Sequence, residues 1–182
     1  MWGIGEVLAS HADGFAVGER LYGFFPMASH VVMRPGERSE RGFTDTMPHR
    51  GELPSLYNDY ARTQSEPAQL QALEDQRCIF FPLFMTGYVI ADLLLDNDWF
   101  GVEQILIGSA SSKTGFSTAA FIRAAGFQGA IAGLTSDQNV AFSEALGCYD
   151  RVVSYSEVGS VANEPSAYID IAGDVEVRSR LH

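Results

Sequence analysis

Cysteine and positive charge are both scarce in this chain of 182 residues. Two cysteines, Cys78 and Cys148, are too few for a disulfide framework or a four-cysteine zinc site, and so small a number fits a reducing compartment. Twelve lysine and arginine residues face 23 aspartate and glutamate residues, which gives a formal net charge of −11. Because nucleic-acid binding needs a basic surface, we predict that no nucleic acid is a partner.

Metal-ligand spacings, a signal peptide and long apolar runs are also missing. The four histidines are scattered and show no spacing typical of a metal site: His11, His30, His49 and His182. The first 20 residues carry acidic side chains and lack the basic start and apolar run of a signal peptide. No stretch comes close to the roughly 18–20 apolar residues of a membrane span. We therefore expect a cytoplasmic protein with no membrane partner.

The composition that remains is that of an ordinary globular domain, with 46% hydrophobic and 19% charged residues. The N-terminal third consists of short apolar runs separated by turns, which predicts strands at 5–12, 19–25 and 29–37, the last closed by a Pro-Gly pair. Residues 36–76 are polar and only weakly periodic. So long a stretch inside a domain is typical of an insertion or a covering segment.

Strands and helices alternate from residue 77 onward. An apolar stretch that Pro82 breaks is expected to give a helix at 86–95. Hydrophobic periodicity and terminal Ser or Gly residues predict the elements that follow it: strand 104–108, helix 115–125, strand 129–134, helix 137–146, and strands 151–155 and 168–172. This order and spacing predict a parallel sheet with right-handed crossovers.

The turn "GSASSKTG", residues 108–115, has the composition of a phosphate-binding loop at a helix N-terminus. A triphosphate-binding P-loop that starts at Gly108 needs its second glycine at position 113 and its lysine at 114, where this chain has Lys113 and Thr114. A dinucleotide-binding turn needs small residues and a glycine at the helix start, and Ser109 or Ala110, Ser112 and Gly115 stand at those positions. A serine-rich turn without any ligand is the third alternative.

The loop after the second parallel strand bears on which dinucleotide would bind. An NAD site usually has an acid about 20 residues after the glycines, which bonds the ribose 2′-hydroxyl. Thr135 and Ser136 stand there in this sequence, and the first acid, Asp137, comes only after them. Hydroxyls without a carboxylate favour a 2′-phosphate, and hence NADP over NAD, although the loop contains no arginine or lysine.

Several segments, taken in order, carry a resemblance to a known family: "GEVLASHADGFAVGERLYGF", "MTGYVIADLL", "ILIGSASSKTGFSTAAFIRAAGFQGAIAGLTS", "EALGCYDRVVSY" and "AYIDIAGD". They resemble the medium-chain dehydrogenase/reductases, in particular the zinc-free, quinone-oxidoreductase-like branch. The resemblance implies an α/β fold in which part of a GroES-like β-barrel, 1–35, and the segment 36–76 precede an incomplete Rossmann-type domain, 77–182. That domain would have a parallel sheet with helices on both faces. Relative to the family, the chain would be truncated at both ends.

The resemblance also implies a function, namely zinc-independent hydride transfer from NADPH to a small enone, quinone or carbonyl substrate. It places the pyrophosphate contacts on Ser109, Ala110, Ser111, Ser112, Lys113, Thr114 and Gly115. It places the ribose contacts on Thr135, Ser136, Tyr155, Ala172 and Gly173, and the nicotinamide contacts on the helix start from Thr86 to Tyr88. Tyr88 is the candidate catalytic residue, because a phenol can donate a proton to a substrate oxygen. An aromatic ring packed at a helix start is the alternative interpretation of Tyr88.

A second class of function stays open. Serines in place of the family's glycines, and the missing ends, favour a non-catalytic Rossmann-type module that binds a nucleotide or a partner chain without turnover. The order of the strand–helix–strand unit, Lys113 and Tyr155 favour the oxidoreductase, which could be inactive as this chain alone. A partial barrel would leave unpaired strand edges and apolar surface, so self-association, for example as a homodimer, is a further expectation.

Overall fold

The computed structural model describes residues 1–181, and the chain divides into two units, Met1–Phe81 and Pro82–His182. The first unit contains an antiparallel sheet and the second a parallel sheet flanked by helices. The α/β fold class predicted from the sequence is therefore confirmed.

The first unit is built on five antiparallel strands in the order β1-β2-β5-β4-β3. These are β1 (Trp2–Glu6), β2 (Arg20–Phe24), β3 (Pro35–Arg38), β4 (Gly42–Asp45) and β5 (Asp59–Arg62). Two short 3₁₀ turns lie between β4 and β5, Pro48–Arg50 and Ser55–Tyr57. A third 3₁₀ turn, Thr63–Ser65, and the single-turn helix α1 (Ala68–Gln71) follow β5.

Strand positions in this unit differ from those that the sequence predicted. The first strand covers residues 2–6 rather than 5–12. The strand predicted at 29–37 does not form, and Pro35 begins β3 instead of closing a strand. Proline has no N–H to donate, so it is tolerated as the first residue of an edge strand such as β3. Residues 36–76, predicted to be irregular, contain β4 and β5, and β5 pairs directly with β2.

The second unit contains four parallel strands in the order β8-β7-β6-β9. The strands are β6 (Gln104–Ile107), β7 (Ala130–Thr135), β8 (Arg151–Ser154) and β9 (Ser166–Ile169). The helices are α2 (Glu74–Asp96), which begins in the first unit, α3 (Lys113–Ala124), α4 (Val140–Ala145) and α5 (Val175–Leu181). The parallel sheet predicted from the order of elements is confirmed.

The core of the second unit lies on both faces of this sheet. Ile105 and Ile107, fully buried, point to the face that packs against α2 and α3, where they meet Ile122. Leu106, between them in sequence, points to the opposite face and packs with Leu134 and other residues of that side. Alternation along β6 thus supplies the apolar surface for two layers, as a strand buried on both faces requires.

Helix α2 is more than twice as long as predicted, and Pro82 does not break it. A proline inside a helix has no N–H to donate to the carbonyl four residues earlier, here that of Cys78, and the hydrogen bond of 3.1 Å from the Thr86 hydroxyl to the Pro82 carbonyl does not replace this bond. One turn later α2 approaches α3 so closely that a Cβ on Gly87 would lie 2.5 Å from the Ser117 hydroxyl oxygen. We attribute the survival of the helix to this packing, which the sequence pattern around Pro82 does not reveal.

The same helix corrects the expectation about membrane spans. By length and composition alone, Glu74–Asp96 could cross a membrane, since its most apolar 18-residue window has a mean hydropathy of 2.0. Core helices of soluble proteins can meet these criteria too, although only 17% of this window is buried within the chain. The prediction that no stretch approaches a membrane span is therefore wrong for α2.

Candidate functional site

The turn of residues 109–115 lies where the order of the parallel sheet reverses. From β6 the chain proceeds to β7 and then β8 on one side, whereas β9 pairs with β6 on the other side. In open α/β sheets, ligands bind beyond the carboxyl ends of the strands at such a reversal. The turn that follows β6 therefore occupies the position at which this architecture binds its ligands.

Ser109, the first residue of the turn, has a left-handed backbone with φ of 53°. Only glycine adopts this region without strain, so Ser109 stands where a dinucleotide-binding turn normally has its first glycine. Backbone hydrogen bonds tighten the turn, because the Ser112 N–H donates to the Ser109 carbonyl over 2.8 Å and the Ala110 N–H donates to Leu134 in β7 over 2.9 Å. The turn is therefore compact and anchored to the sheet.

Gly115 allows α3 to start directly against the turn. A Cβ at this position would lie 2.5 Å from the Ser109 carbonyl oxygen, so any larger residue would force the helix and the turn apart. The Ser112 hydroxyl caps the helix by accepting the Gly115 N–H over 3.0 Å. The helix consequently begins at Lys113, two residues earlier than predicted. Lys113 and Thr114 are in the first turn, where backbone N–H groups have no acceptor within a helix.

Lys113 is the only lysine in the sequence. It is the first residue of α3, and its side chain is exposed. A cation at this end is unfavourable for the helix itself, because the helix dipole is positive at the N-terminus. An anion bound there would be attracted both by the positive end of the dipole and by the ammonium, and would offset this cost. The position of Lys113 thus suits an anion-binding end of the helix.

The hydroxyls predicted after β7 lie beside the turn. The Thr135 hydroxyl is 3.3 Å from the hydroxyl of Ser111, and Ser136 accepts a hydrogen bond from the Asn139 side-chain amide. The next residue, Asp137, accepts hydrogen bonds from Ser154, the last residue of β8, and from Ser156, two residues further on. These bonds, with that from Ser154 the stronger, lower the pKa of Asp137. A carboxylate therefore lies close to the predicted ribose contacts, although Asp137 follows them in the sequence.

Three tyrosines surround the turn, of which the resemblance implicated only Tyr155. The Ser109 N–H donates to the Tyr155 hydroxyl over 2.8 Å, so Tyr155 contacts the turn directly. The Tyr149 hydroxyl donates to the Ala110 carbonyl over 2.9 Å, and burial raises the pKa of Tyr149. Tyr168 lies against Gly108, where an added Cβ would be 2.7 Å from its hydroxyl oxygen. No local sequence signal identifies these long-range contacts.

The loop after β9 reaches the same edge of the sheet. The Gly108 N–H donates to the last carbonyl of β9, that of Ile169, over 3.0 Å. Ala172 and Gly173 follow in this loop, and Gly173 has a left-handed φ of 69° with its N–H bonded to the Asp170 carboxylate. Burial, and after it the negative charge of Asp170, raise the pKa of Tyr168 to about 12. The structure thus brings both predicted ribose loops to the edge where the turn lies.

Thr86 and Tyr88 are not at a helix start but in the middle of α2. Tyr88 is 52% exposed, and its ring packs edge-on against Phe121 with a centroid distance of 5.7 Å. Phe121 follows Lys113 by two turns of α3, about 12 Å along the helix. The structure therefore does not place Tyr88 with the turn, and its catalytic role stays a prediction.

Metal ligands form no cluster in the part of the chain that the structure describes. Within residues 1–181, no group of three or more His, Cys, Asp and Glu side chains could hold a metal ion. The free cysteines, Cys78 and Cys148, are both half-buried, and burial raises the pKa of each thiol. A raised thiol pKa disfavours the reactive thiolate.

Solved structures with a similar fold are oxidoreductases at low sequence identity. The cobalt- and zinc-bound thermostable alcohol dehydrogenase from Pyrobaculum aerophilum is 10% identical, with a TM-score of 0.50, over 96% of this chain and 53% of its own. The quinone oxidoreductase from Coxiella burnetii is 17% identical, with a TM-score of 0.49, over 94% of this chain and 47% of its own. The yhdH oxidoreductase from Salmonella enterica in complex with NADP is 14% identical, with a TM-score of 0.45, over 85% of this chain and 42% of its own.

These likenesses concern the fold alone, and the chain spans about half the length of the solved structures it matches. A comparison with curated proteins gives no significant match. A comparison with sequence families matches the whole of residues 1–182 to one of them. The chain belongs to the family described as "Protein of unknown function (DUF2855)".

Proposed function

We propose that the chain is the nucleotide-binding part of an oxidoreductase that uses a nicotinamide dinucleotide to reduce a small enone, quinone or carbonyl compound. The observation that carries the proposal is the position of residues 109–115, between the reversal point of a parallel sheet and the N-terminus of a 12-residue helix. The resemblance of several segments to the medium-chain dehydrogenase/reductases supports it.

The residues of the turn fit a pyrophosphate. Gly115 lets the helix N-terminus come close, and the N–H groups of Lys113 and Thr114 lie in its first turn. The Ser111 hydroxyl and the Lys113 ammonium add donors to those of the backbone. When bound, the cofactor supplies the hydride. The task of these residues is to bind and orient it within a protein whose net charge of −11 would otherwise repel an anion.

NADP(H) is the cofactor that we propose, on the basis of the hydroxyls of Thr135 and Ser136. Asp137 opposes this preference, since its carboxylate lies in the same loop and would repel a 2′-phosphate. We therefore expect Asp137→Asn to increase the affinity for NADPH more than that for NADH, because NADH carries no phosphate at the 2′ position. Titration calorimetry with both nucleotides measures this difference, and an equal change for both would contradict it.

The remaining parts of the proposal rest on the sequence. Zinc independence is proposed from the scattered histidines, and a cytoplasmic location from the scarcity of cysteine, which fits a reducing compartment. We also propose that the chain has no membrane partner, although the apolar composition of α2 opposes this part of the proposal. Self-association as a homodimer is a further part of the proposal. Fractionation of cells that produce the chain tests its location, and recovery in the membrane fraction would indicate that α2 enters a membrane. Light scattering tests the dimer.

Lys113 provides a direct test, because its ammonium and the N-terminal amine are the only amines of the chain. Acetylation followed by mass spectrometry reports each amine separately. We expect saturating NADPH to protect Lys113 at least fivefold and to leave the N-terminal amine, the internal control, unchanged. Calorimetry of Lys113→Ala should show weaker NADPH binding, and Lys113→Arg, which keeps the charge, should retain most of it. Equal labelling with and without either nucleotide, together with no heat of binding, would overturn the proposal.

A second candidate function is a module that binds the nucleotide without catalysis. The position of Tyr88, against Phe121 and away from the turn, favours this candidate. Absorbance at the NADPH band, followed with a panel of enones and quinones, separates the two. Protection of Lys113 without NADPH consumption would support the binding module, and consumption would support the oxidoreductase.

A further inference from the structure

The Tyr155 hydroxyl contacts the strained residue of the phosphate turn, and we infer that Tyr155 is a positioning residue that holds this turn in its ligand-binding shape. The inference rests on the proposed function, because it assigns a role within the same dinucleotide site. It goes beyond that function by explaining how a turn with serines in place of glycines keeps a glycine-like conformation.

Ser109 needs support from outside its own segment. Its φ of 53° is unfavourable for any residue with a side chain, and such conformations persist only where the surroundings impose them. The bond from the Ser112 N–H holds the Ser109 carbonyl, and the bond from the Ala110 N–H to the Leu134 carbonyl holds the residue that follows Ser109. The N–H of Ser109 itself is bonded by the hydroxyl of Tyr155, 46 residues later in the chain.

Tyr155 is itself held in place on two sides. Its ring packs against the buried cluster on one face of the sheet, which includes Leu106 and Val158. Its carbonyl accepts a hydrogen bond of 2.9 Å from the guanidinium of Arg180 in α5. A phenol fixed in this way cannot follow the turn if the turn relaxes, so its bond to Ser109 constrains the backbone.

Tyr149 provides a natural comparison, because it bonds the same turn at a different kind of residue. Its hydroxyl donates to the carbonyl of Ala110, which is fully buried and has no left-handed backbone. Loss of the Tyr149 hydroxyl should therefore loosen the turn in a way that a glycine at position 109 cannot correct. Loss of the Tyr155 hydroxyl should be correctable by that glycine.

The test combines Tyr155→Phe, Tyr149→Phe and Ser109→Gly, singly and in both double combinations with Ser109→Gly. The phenylalanine variants keep the ring and should fold, which circular dichroism checks. Without ligand, we expect Tyr155→Phe to speed hydrogen exchange at the Ser109 amide about tenfold. With ligand, we expect it to weaken NADPH binding about tenfold, and Ser109→Gly to restore affinity to within threefold in the Tyr155→Phe background alone.

Unchanged exchange at Ser109 in a folded Tyr155→Phe variant would overturn the inference, whether or not any nucleotide binds. Failure of Ser109→Gly to restore affinity, or equal restoration in the Tyr149→Phe background, would also overturn it. Faster exchange together with no binding of NADPH or NADH to the unaltered chain would uphold Tyr155 as the support of the turn and reject the proposed function.

Discussion

The two units of this chain are stabilised by different kinds of contact. Fully buried aliphatic side chains dominate the second unit: Ile105, Ile107, Ile122, Ile131 and Leu134. The buried apolar cluster of the first unit contains only Leu21, Phe43 and Tyr60. Aromatic pairs extend that small cluster, such as Phe15 edge-on to Phe43 with a centroid distance of 5.0 Å.

Buried arginines help to form the core of the first unit, whereas aliphatic residues form the core of the second. Arg50 pairs with Asp45, Arg62 with Glu19 and Arg77 with Glu66, and all six side chains are mostly buried. All three guanidinium groups also lie over aromatic rings: that of Arg50 is 5.6 Å from the centroid of Tyr60, that of Arg62 4.6 Å from that of Phe15, and that of Arg77 3.6 Å from that of Tyr22. The first unit thus depends on directional contacts between charges and rings.

One tryptophan in each unit allows this comparison to be tested in the intact chain. Trp2 stacks on Tyr22 in the first unit, and Trp99 contacts Phe127 in the second. In variants that keep only one of them, with the other replaced by phenylalanine, fluorescence during urea unfolding reports one unit.

The largest effect is expected for Arg50→Ala in the first unit. This substitution leaves the Asp45 carboxylate, which is completely buried, without its guanidinium partner. The Asp45 carboxylate keeps its hydrogen bonds from the Arg34 and Met47 N–H groups but loses its countercharge. Removal of one partner of a buried ion pair costs about 3–5 kcal/mol, so the Trp2-reported transition should move to much lower urea. The control is Arg20→Ala, which removes a pair that is half exposed on the arginine side and should change stability by less than about 1 kcal/mol. Similar losses for the two variants would refute a special role of buried arginines.

Ile131→Ala should have the next largest effect, and in the second unit. Ile131 is fully buried between the sheet and α3, and removal of its methyl groups leaves a cavity. Such substitutions cost about 2–5 kcal/mol, and the loss should appear in the Trp99-reported transition. Val175→Ala, at a position that is 62% exposed, is the matched control and should stay within about 0.5 kcal/mol. If Ile131→Ala lost no more stability than Val175→Ala, the conclusion that aliphatic packing stabilises the second unit would be wrong.

The same difference decides how much of the molecule the sequence predicts. Periodicity of apolar residues locates elements whose stability comes from apolar burial, and β6, predicted at 104–108, is found at Gln104–Ile107. It does not locate β5, "DYAR", whose Tyr60 packs on rings and whose Arg62 forms an ion pair. Those contacts join residues that are distant in sequence and leave no local pattern.

The candidate site divides in the same way. The position of the turn follows from local composition, since small residues between a strand and a helix predict it. The contacts of Tyr149 and Tyr155 with that turn depend on the register of β8 and on the path of the chain before and after it. The helix start predicted at Thr86 was wrong, because α2 begins at Glu74 and continues through Pro82, so that Tyr88 lies in the middle of the helix.

Arg62→Lys tests the same comparison, because it keeps the positive charge and removes the planar guanidinium group. The guanidinium of Arg62 bonds Glu19 over 2.6 Å and the Gly14 carbonyl over 2.8 Å while it covers the Phe15 ring. A lysine ammonium cannot make this planar set of contacts, so we expect a loss of about 1–2 kcal/mol in the Trp2-reported transition. Retention of full stability would show that charge alone, and not the directional geometry, stabilises this unit.

The smallest effect, and one of opposite sign, is expected for Tyr22→Phe. The Tyr22 hydroxyl is buried without a hydrogen-bond partner in the described structure, so its removal should stabilise the first unit by up to about 1 kcal/mol at pH 7. Burial, partly offset by Arg77, raises the pKa of Tyr22 from 10.0 to about 12. Below pH 10 the hydroxyl is protonated in both states. Between pH 10 and 12 it ionises first in the unfolded chain, which lowers the stability of the unaltered protein but not of the variant.

The advantage of Tyr22→Phe should therefore grow as the pH rises from 9 to 12. Urea unfolding followed through Trp2 over this range measures it. Tyr60→Phe is the matched control, because the pKa of Tyr60 is also raised to about 12 but its hydroxyl donates to the Phe24 carbonyl over 2.6 Å. That variant should lose about 1 kcal/mol at pH 7 and recover the difference only at alkaline pH. If both variants lost stability equally at pH 7, the Tyr22 hydroxyl would have a hydrogen-bond partner, and its burial would not destabilise the first unit.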